Sequence, residues 1–370
     1  MHNKKKMNQS EQLRVQATEE APLMATEEQL ELAASGKHKN MLTLAVRYLL
    51  PLSLTVVLVW YMFRSVDFSR MMEIIREGVD YWWILLAMFI SIFSHVFRAA
   101  RWNLQLSTIG IKVPFMALCC SIFGCYALNL VFPRLGEVWR CTYVGKTGKA
   151  PFTTVLGSMV SERLADMVMV LLLTLLAFII ANGAILSFLN EYPIGHDIVL
   201  LIKNPKFWIA GTICVLLIGG VFYFGRRSAA VRALLKWGRE IWMGFASLWK
   251  MKGRVKFIAL TVAIWGAYFI QLYVAFFAFG FTRRLCGEAE LGFGLVPCLV
   301  AFVLSSIGMA VPSNGGLGPW NIAVMFGLGV YGVTQTEGTA FSMLQWSGQT
   351  VMLIILGIFT MAYIAGKRNR

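Results

Sequence analysis

The sequence predicts an all-α polytopic membrane protein with about six full spanning helices and two re-entrant, broken helical hairpins, arranged as a possible inverted repeat. Three observations lead there. Of the 370 residues, 58% are hydrophobic and only 14% charged, too little polar surface for a water-soluble domain of that length. Several apolar runs reach the length of about 20 residues that crosses a bilayer. Two further apolar runs are interrupted by proline and glycine, where a plain spanning helix would continue.

Taken in order, residues 1–40 are polar, with a basic start at Lys4, Lys5 and Lys6 and a glutamate-rich middle. They cannot bury enough apolar surface to fold alone and read as a disordered cytoplasmic tail. A cleaved signal peptide is not expected, because the first apolar run begins too late. That run, 44–63, is the first span, and the membrane domain occupies 41–370. The mixed charges of 64–80 suggest an external amphipathic helix. A second span covers 81–102, and residues 115–128 form an apolar run. A charged helix entry at 161–166 opens a third span to 181, then come a loop at 182–206 and a span at 207–224. Residues 226–256 carry nine Lys and Arg against Glu240, with Trp237, Trp242, Phe245 and Trp249 between them, the pattern of a helix lying on an anionic leaflet. A span at 257–281, an apolar run at 295–311, a Pro- and Gly-rich break at 312–321 with a second apolar piece to about 333, and a final span at 341–365 complete the chain.

The formal net charge of +15 sits mainly in loops and tails, as the positive-inside rule expects, so no nucleic-acid partner is implied. The seven cysteines follow no metal or disulfide spacing, and Cys119, Cys120, Cys125, Cys214 and Cys298 lie in apolar runs, where a thiol acts as a small hydrophobe. With four histidines in the chain, no metal cluster and no cofactor are expected.

The chain is organised around residues 129–140, N-L-V-F-P-R-L-G-E-V-W-R, directly after an apolar run. A charge at the centre of a spanning helix costs about 2.5–3.5 kcal/mol on insertion scales. Pro133 removes a backbone donor and pushes Phe132 out of the helical region. One reading is a helix end with its loop; the other is a helix broken inside the membrane beside a polar cavity. Charge placement chooses the second. If 114–132 crosses fully, the basic 226–256 stretch falls outside; if it turns back at Pro133, that stretch becomes cytoplasmic. The same test makes 295–333 a hairpin broken between Pro312 and Pro319. Val131-Phe132-Pro133 with Leu135-Gly136 and Trp139 also parallels Ala310-Val311-Pro312 with Leu317-Gly318 and Trp320. Paired interrupted segments point to a binding site between inverted repeats.

Arg98 and Arg101 share a helix face, as do Glu162 and Asp166. The arginines either snorkel to cytoplasmic headgroups or form a cationic wall for phosphate. The carboxylates are either first-turn residues favoured by the helix dipole or partners for buried arginines.

The ordered set R-A-A-R-W at 98–102, the stretch at 129–140, S-E-R-L-A-D at 161–166 and V-P-S-N-G-G-L-G at 311–318 resembles the lysylphosphatidylglycerol synthase transmembrane family, over about residues 41–366. The resemblance implies a flippase-like membrane unit without an aminoacyl-transfer domain. It implies a polar groove for a lipid headgroup, lined by Arg98, Arg101, Asn129, Pro133, Arg134, Gly136, Glu137, Arg140, Glu162, Arg163 and Asp166 from the first half. Pro312, Gly315, Gly316 and Gly318 join it from the second. The family pattern places a glutamate shortly after the second glycine-rich break, and this chain has Pro319, Trp320 and Asn321 there. A carboxylate grip on a cationic aminoacyl headgroup is therefore not implied.

The leading expectation is a cell-membrane protein, inner or plasma, with both termini cytoplasmic, that moves an anionic phospholipid or polyprenyl-phosphate headgroup between leaflets. Two other classes stay open. One is a non-catalytic scaffold for a lipid-modifying synthase or glycosyltransferase, docked through 226–256. The other is a lipid-linked transferase using Glu137, Glu162 or Asp166, although no nucleophile–base pair, metal cluster or nucleotide loop is present in the sequence.

Overall fold

The computed structural model describes residues 66–132, 134–191, 253–311 and 313–368, with isolated positions between 53 and 64 and between 204 and 213. The expected tail, most of the 44–63 and 207–224 spans, and nearly all of the basic 226–256 stretch lie outside the described residues. The described positions between 53 and 63 are helical.

The described chain is helical, without a strand, apart from an isolated bridge between Val79 and Phe279. Helix α1 (Phe68–Glu77) starts at Asp67, whose carboxylate accepts from the Arg70 N–H, and α2 (Tyr81–Thr108) starts at Asp80, which accepts from Trp82 in the same way. Then follow α3 (Phe115–Val131), α4 (Leu135–Thr147) and α5 (Phe152–Glu191). After the gap come α6 (Arg254–Phe276), the short α7 (Gly280–Gly287), α8 (Leu295–Gly308), α9 (Pro319–Gly329) and α10 (Gln335–Arg368).

Among the described residues, five segments are long and apolar enough to cross a membrane: Tyr81–Thr108, Phe152–Ser187, Arg254–Phe276, Ala289–Gly308 and Gln335–Lys367. Their surfaces invert the soluble pattern. Trp82, Leu85 and Phe89 on α2, Leu171, Leu175 and Ile179 on α5, and Ile354, Ile358 and Met361 on α10 are exposed, while Arg98, Arg101, Arg140, Glu162 and Gln345 are buried. Apolar residues outside and charges inside are stable only where the solvent is hydrocarbon.

Helix α3, and α8 taken without the 289–294 turns that precede it, are each shorter than a span. With 17 and 14 residues they span about 25 and 21 Å, short of the roughly 30 Å hydrocarbon core. Each folds back on its successor, α3 on α4 and α8 on α9. The returns are close because glycine lies at both contacts. A Cβ on Gly136 would sit 2.0 Å from the Cys125 carbonyl oxygen, and one on Gly327 would sit 2.5 Å from the Ala301 Cα. The first hairpin turns where Arg134 adopts φ 63°, and the Asn129 side chain closes it by accepting the Gly136 N–H at 2.9 Å. The second turns through Gly315, Gly316 and Gly318, all at positive φ, and Asn321 accepts the Gly318 N–H at 3.1 Å.

The two tips touch. Gly315 N–H donates to the Asn129 carbonyl at 3.1 Å, and the Asn314 amide donates to the Val131 carbonyl at 3.1 Å. Carbonyls at a helix C-terminus have no partner within their own helix, and here the other hairpin supplies the donors. Trp346 of α10 binds the junction from the side, its Nε1 donating to the Gly315 carbonyl at 2.9 Å.

Several sequence-based boundaries change. Helix α2 runs six residues past 102, so its arginines lie inside the helix and not at its end. Helix α5 starts at Phe152, so Glu162 and Asp166 are interior residues and not a first turn. The expected loop at 182–206 begins as helix to Glu191, after a kink at Ala181. The 257–281 span ends at Phe276, and α7 follows as a separate turn.

Hairpin closure is tested by Gly327→Ala, expected to lower stability by about 1–3 kcal/mol through overpacking against Ala301. Gly157→Ala, whose Cβ meets nothing within 4 Å, is expected to be neutral or stabilising by up to about 1 kcal/mol. Thermal unfolding of the detergent-purified protein separates the two.

Candidate functional site

Four helices bring a charged cluster together. Helix α2 supplies Arg98 and Arg101, α4 supplies Arg140, α5 supplies Glu162 and Asp166, and α6 supplies Thr261, Trp265 and Tyr268 from one face. Arg98 Nη1 donates to Glu162 Oε1 at 2.8 Å and to Asp166 Oδ2 at 2.9 Å, and its Nη2 donates to the Tyr268 hydroxyl at 3.2 Å. Arg101 Nη2 donates to Asp166 Oδ1 at 2.8 Å and to Glu162 Oε1 at 3.3 Å, while its Nη1 donates to Thr261 Oγ1 at 3.1 Å. Arg140 Nη2 donates to Glu162 Oε2 at 2.9 Å, and its guanidinium lies 3.8 Å over the Trp102 ring. Trp102 is itself held by donating from Nε1 to Ser158 Oγ at 3.0 Å.

Two properties of this cluster matter chemically. It is closed, since the side chains of Arg98, Arg101, Arg140 and Glu162 are at most 4% exposed. It is also unbalanced: three guanidiniums face two carboxylates, leaving one positive charge in excess. The Nε atoms of all three arginines are buried without a hydrogen-bond partner among the described residues. Buried charges are stable when paired and fully hydrogen-bonded, and here the guanidiniums retain excess charge and unused donors.

The other expected site residues divide into groups. Glu137 does not join the cluster; it accepts from Arg163 Nη2 at 2.9 Å in a neighbouring pair whose side chains are 28% and 41% exposed. Arg134 is exposed at the start of α4 and has no hydrogen bond or ion pair among the described residues. Asn129 and Gly136 close the first hairpin, and Gly315, Gly316 and Gly318 shape the second. Pro133 and Pro312 lie outside the described residues. Snorkelling of Arg98 and Arg101 is overturned, because both side chains are buried and ion-paired. The dipole reading of Glu162 and Asp166 is overturned as well, because both are interior to α5.

Sequence reasoning missed the α6 face and the stack on Trp102. A signal existed: Thr261, Trp265 and Tyr268 recur at helical spacing within an apolar span.

Beside the hairpin tips lies an open apolar groove of about 600 Å³, bounded by Val59, Trp60 and Phe63 on one side and Leu130, Asn314 and Trp346 on the other. None of the cluster residues lines it.

Fold and site together define an integral, multi-pass membrane protein built around broken hairpins and a buried ionic cluster. Over residues 48–357 the sequence matches the lysylphosphatidylglycerol synthase TM region, and the chain belongs to that family. No curated protein sequence matches it at a significant level.

The two ionic groups differ in depth, and so should their contributions. Glu162→Gln strips a partner from three buried arginines and is expected to destabilise by about 3–5 kcal/mol. Glu137→Gln, in a half-exposed pair, is expected to cost no more than about 1 kcal/mol. Thermal melting of the two variants beside the wild type checks the ordering.

Proposed function

We propose that this protein moves an anionic phosphate headgroup, on a phospholipid or a polyprenyl phosphate, between the leaflets of the cell membrane, with both termini cytoplasmic. The observation that carries the reading is the excess positive charge of a closed cluster whose arginines keep unpartnered donors. Arginine matches phosphate geometry; a phosphodiester supplies the one negative charge the cluster lacks, and the monoester of a polyprenyl phosphate supplies at least that. Glu162 and Asp166 hold the arginines while the site is empty and release them to the phosphate oxygens.

The ionic residues also form a graded series along α4. Arg134 is exposed at the hairpin turn, the Glu137–Arg163 pair is half-exposed three residues on, and Arg140 is buried after three more. A headgroup captured at Arg134 would pass Arg163 before it meets the cluster. Acyl or prenyl chains need no polar partner, and the apolar groove beside the hairpin tips offers them a surface. Asn321 is buried and spends its carbonyl oxygen on Gly318, so the second break presents no carboxylate to a cationic aminoacyl group there. A synthase or glycosyltransferase that makes or consumes the lipid is the fitting partner class.

Fluorescent-lipid scrambling in proteoliposomes tests this reading, with phosphatidylglycerol, its aminoacylated form and a polyprenyl phosphate as cargo. An anionic lipid is expected to move. Arg134→Ala keeps a β-carbon at a position already at positive φ and leaves the cluster untouched. It should slow movement tenfold or more, the equivalent of one lost charge-assisted hydrogen bond of about 1.5–3 kcal/mol. Movement that is insensitive to Arg134, or to the charge of the headgroup, would remove the basis of the proposal.

A further inference from the structure

The buried face of α2 carries a polar stripe between Ser91 and Gln105. Ser91, Ser94, His95, Arg98, Arg101 and Gln105 recur at intervals of three and four residues, and all are buried. Most have partners. Ser91 Oγ accepts from Gln349 Nε2 at 3.1 Å, Ser94 Oγ donates to the Ser91 carbonyl at 2.6 Å, and the arginines hold their carboxylates.

His95 and Gln105 differ. They are 2% and 5% exposed, and neither ring nitrogen of His95 nor either amide atom of Gln105 has a hydrogen-bond partner among the described residues. Tyr126 and Phe123 pack about the imidazole at ring-centroid distances of 4.8 and 6.2 Å and leave its nitrogens unused. Buried polar groups are nearly always satisfied, and one left open calls for an explanation such as a water, an ion or a ligand. Two on one stripe, one turn to either side of an arginine pair, share that explanation.

We infer that His95 and Gln105 are two further headgroup contacts, flanking the arginine pair along the face of α2. The inference rests on the headgroup reading of the cluster and extends it from a point to a track. The two residues are ten positions apart, about 15 Å along the helix, roughly half the thickness of the hydrocarbon core. A His95 ring N–H donates to a phosphate oxygen. The Gln105 amide donates to phosphate and its carbonyl accepts from a headgroup hydroxyl, so a phosphate ester bearing a hydroxylated group suits both. A phosphate leaving Arg98 or Arg101 then finds a donor on either side within one helical turn.

The test exploits a conflict between stability and function. Removing an unpartnered buried polar group in favour of an apolar one of similar size should not destabilise the fold. His95→Phe and Gln105→Leu are expected to melt at or above the wild-type temperature. They should lose at least half of the upward melting shift that dihexanoyl-phosphatidylglycerol gives the full-length protein in detergent. They should also scramble fluorescent phosphatidylglycerol at least fivefold more slowly in vesicles. His95→Gln, which restores a donor, should recover the lipid-induced shift. Where an apolar variant does not fold, His95→Gln and Gln105→Met are compared instead, and the donor-bearing variant alone should respond to lipid.

If the wild type responds to lipid and the apolar variants respond equally, the track is overturned and the cluster reading stands. If the wild type neither shifts nor moves phosphatidylglycerol or farnesyl phosphate, the cluster reading fails and the track with it.

Discussion

Glu162 is the point on which the membrane core turns. Its two carboxylate oxygens bind Arg98, Arg101 and Arg140, from two different helices, in a place from which solvent is excluded. A carboxylate there without its arginines, or an arginine there without its carboxylate, would be strongly destabilising. Helices α2, α4 and α5 therefore cannot slide or rotate independently, because any shift that lengthens one pair strands a charge. Thr261, Trp265 and Tyr268 extend the same constraint to α6. The cluster does in this core what interlocking side chains do in a soluble one: it fixes register.

A second constraint follows from breaking helices inside the membrane. The last carbonyls of α3 have no partner within their own helix. The second hairpin supplies donors to two of them, Gly315 and Asn314 donating to Asn129 and Val131. Each tip is thus part of the other's environment, and both rely on a nearby asparagine to hold a glycine N–H. Glycine at the returns allows the backbones to approach closely, which brings Arg140 of α4 within reach of α5. The broken backbone and the charged cluster are accordingly one arrangement: the hairpin exists in this form because it delivers an arginine to the core.

Much of this was legible in the sequence, for physical reasons that also explain what was not. Pro133, Gly136 and the glycines at 315–318 act locally, so the two breaks could be placed from residues alone. The pairing of arginines with Glu162 and Asp166 was legible because charges in hydrocarbon have few alternatives. The depth of those charges was not. Residues 103–108, N-L-Q-L-S-T, and 152–160, with two threonines, a glycine and a serine, look like helix ends by propensity, yet both continue their helices. Tertiary packing outweighs a propensity deficit of a few tenths of a kcal/mol per residue. The contact between Asn129 and Gly315 spans most of the membrane domain and leaves no local mark. Nor could the sequence separate Glu137 from the cluster, since residues 137 and 140 share a face and differ only in how deeply α4 carries them.

The excess of one positive charge bears on how such a site could work. A fully neutralised cluster would offer an arriving phosphate no net attraction and would demand that ion pairs be broken for nothing. Three arginines with no carboxylates would be too costly to bury and would hold a phosphate too tightly to release it. In the proposed function, two carboxylates against three arginines would lie between these limits, where binding is favourable enough for entry and weak enough for exit. The carboxylates would also remain as internal competitors: as an anion left, Glu162 and Asp166 would reclaim the guanidiniums, and the energy of re-pairing would offset the loss of the ligand. The same balance would favour cargo with net negative charge. A headgroup that carries its own ammonium would cancel the attraction it brings, and Asn321, already committed to Gly318, has no charge with which to restore it.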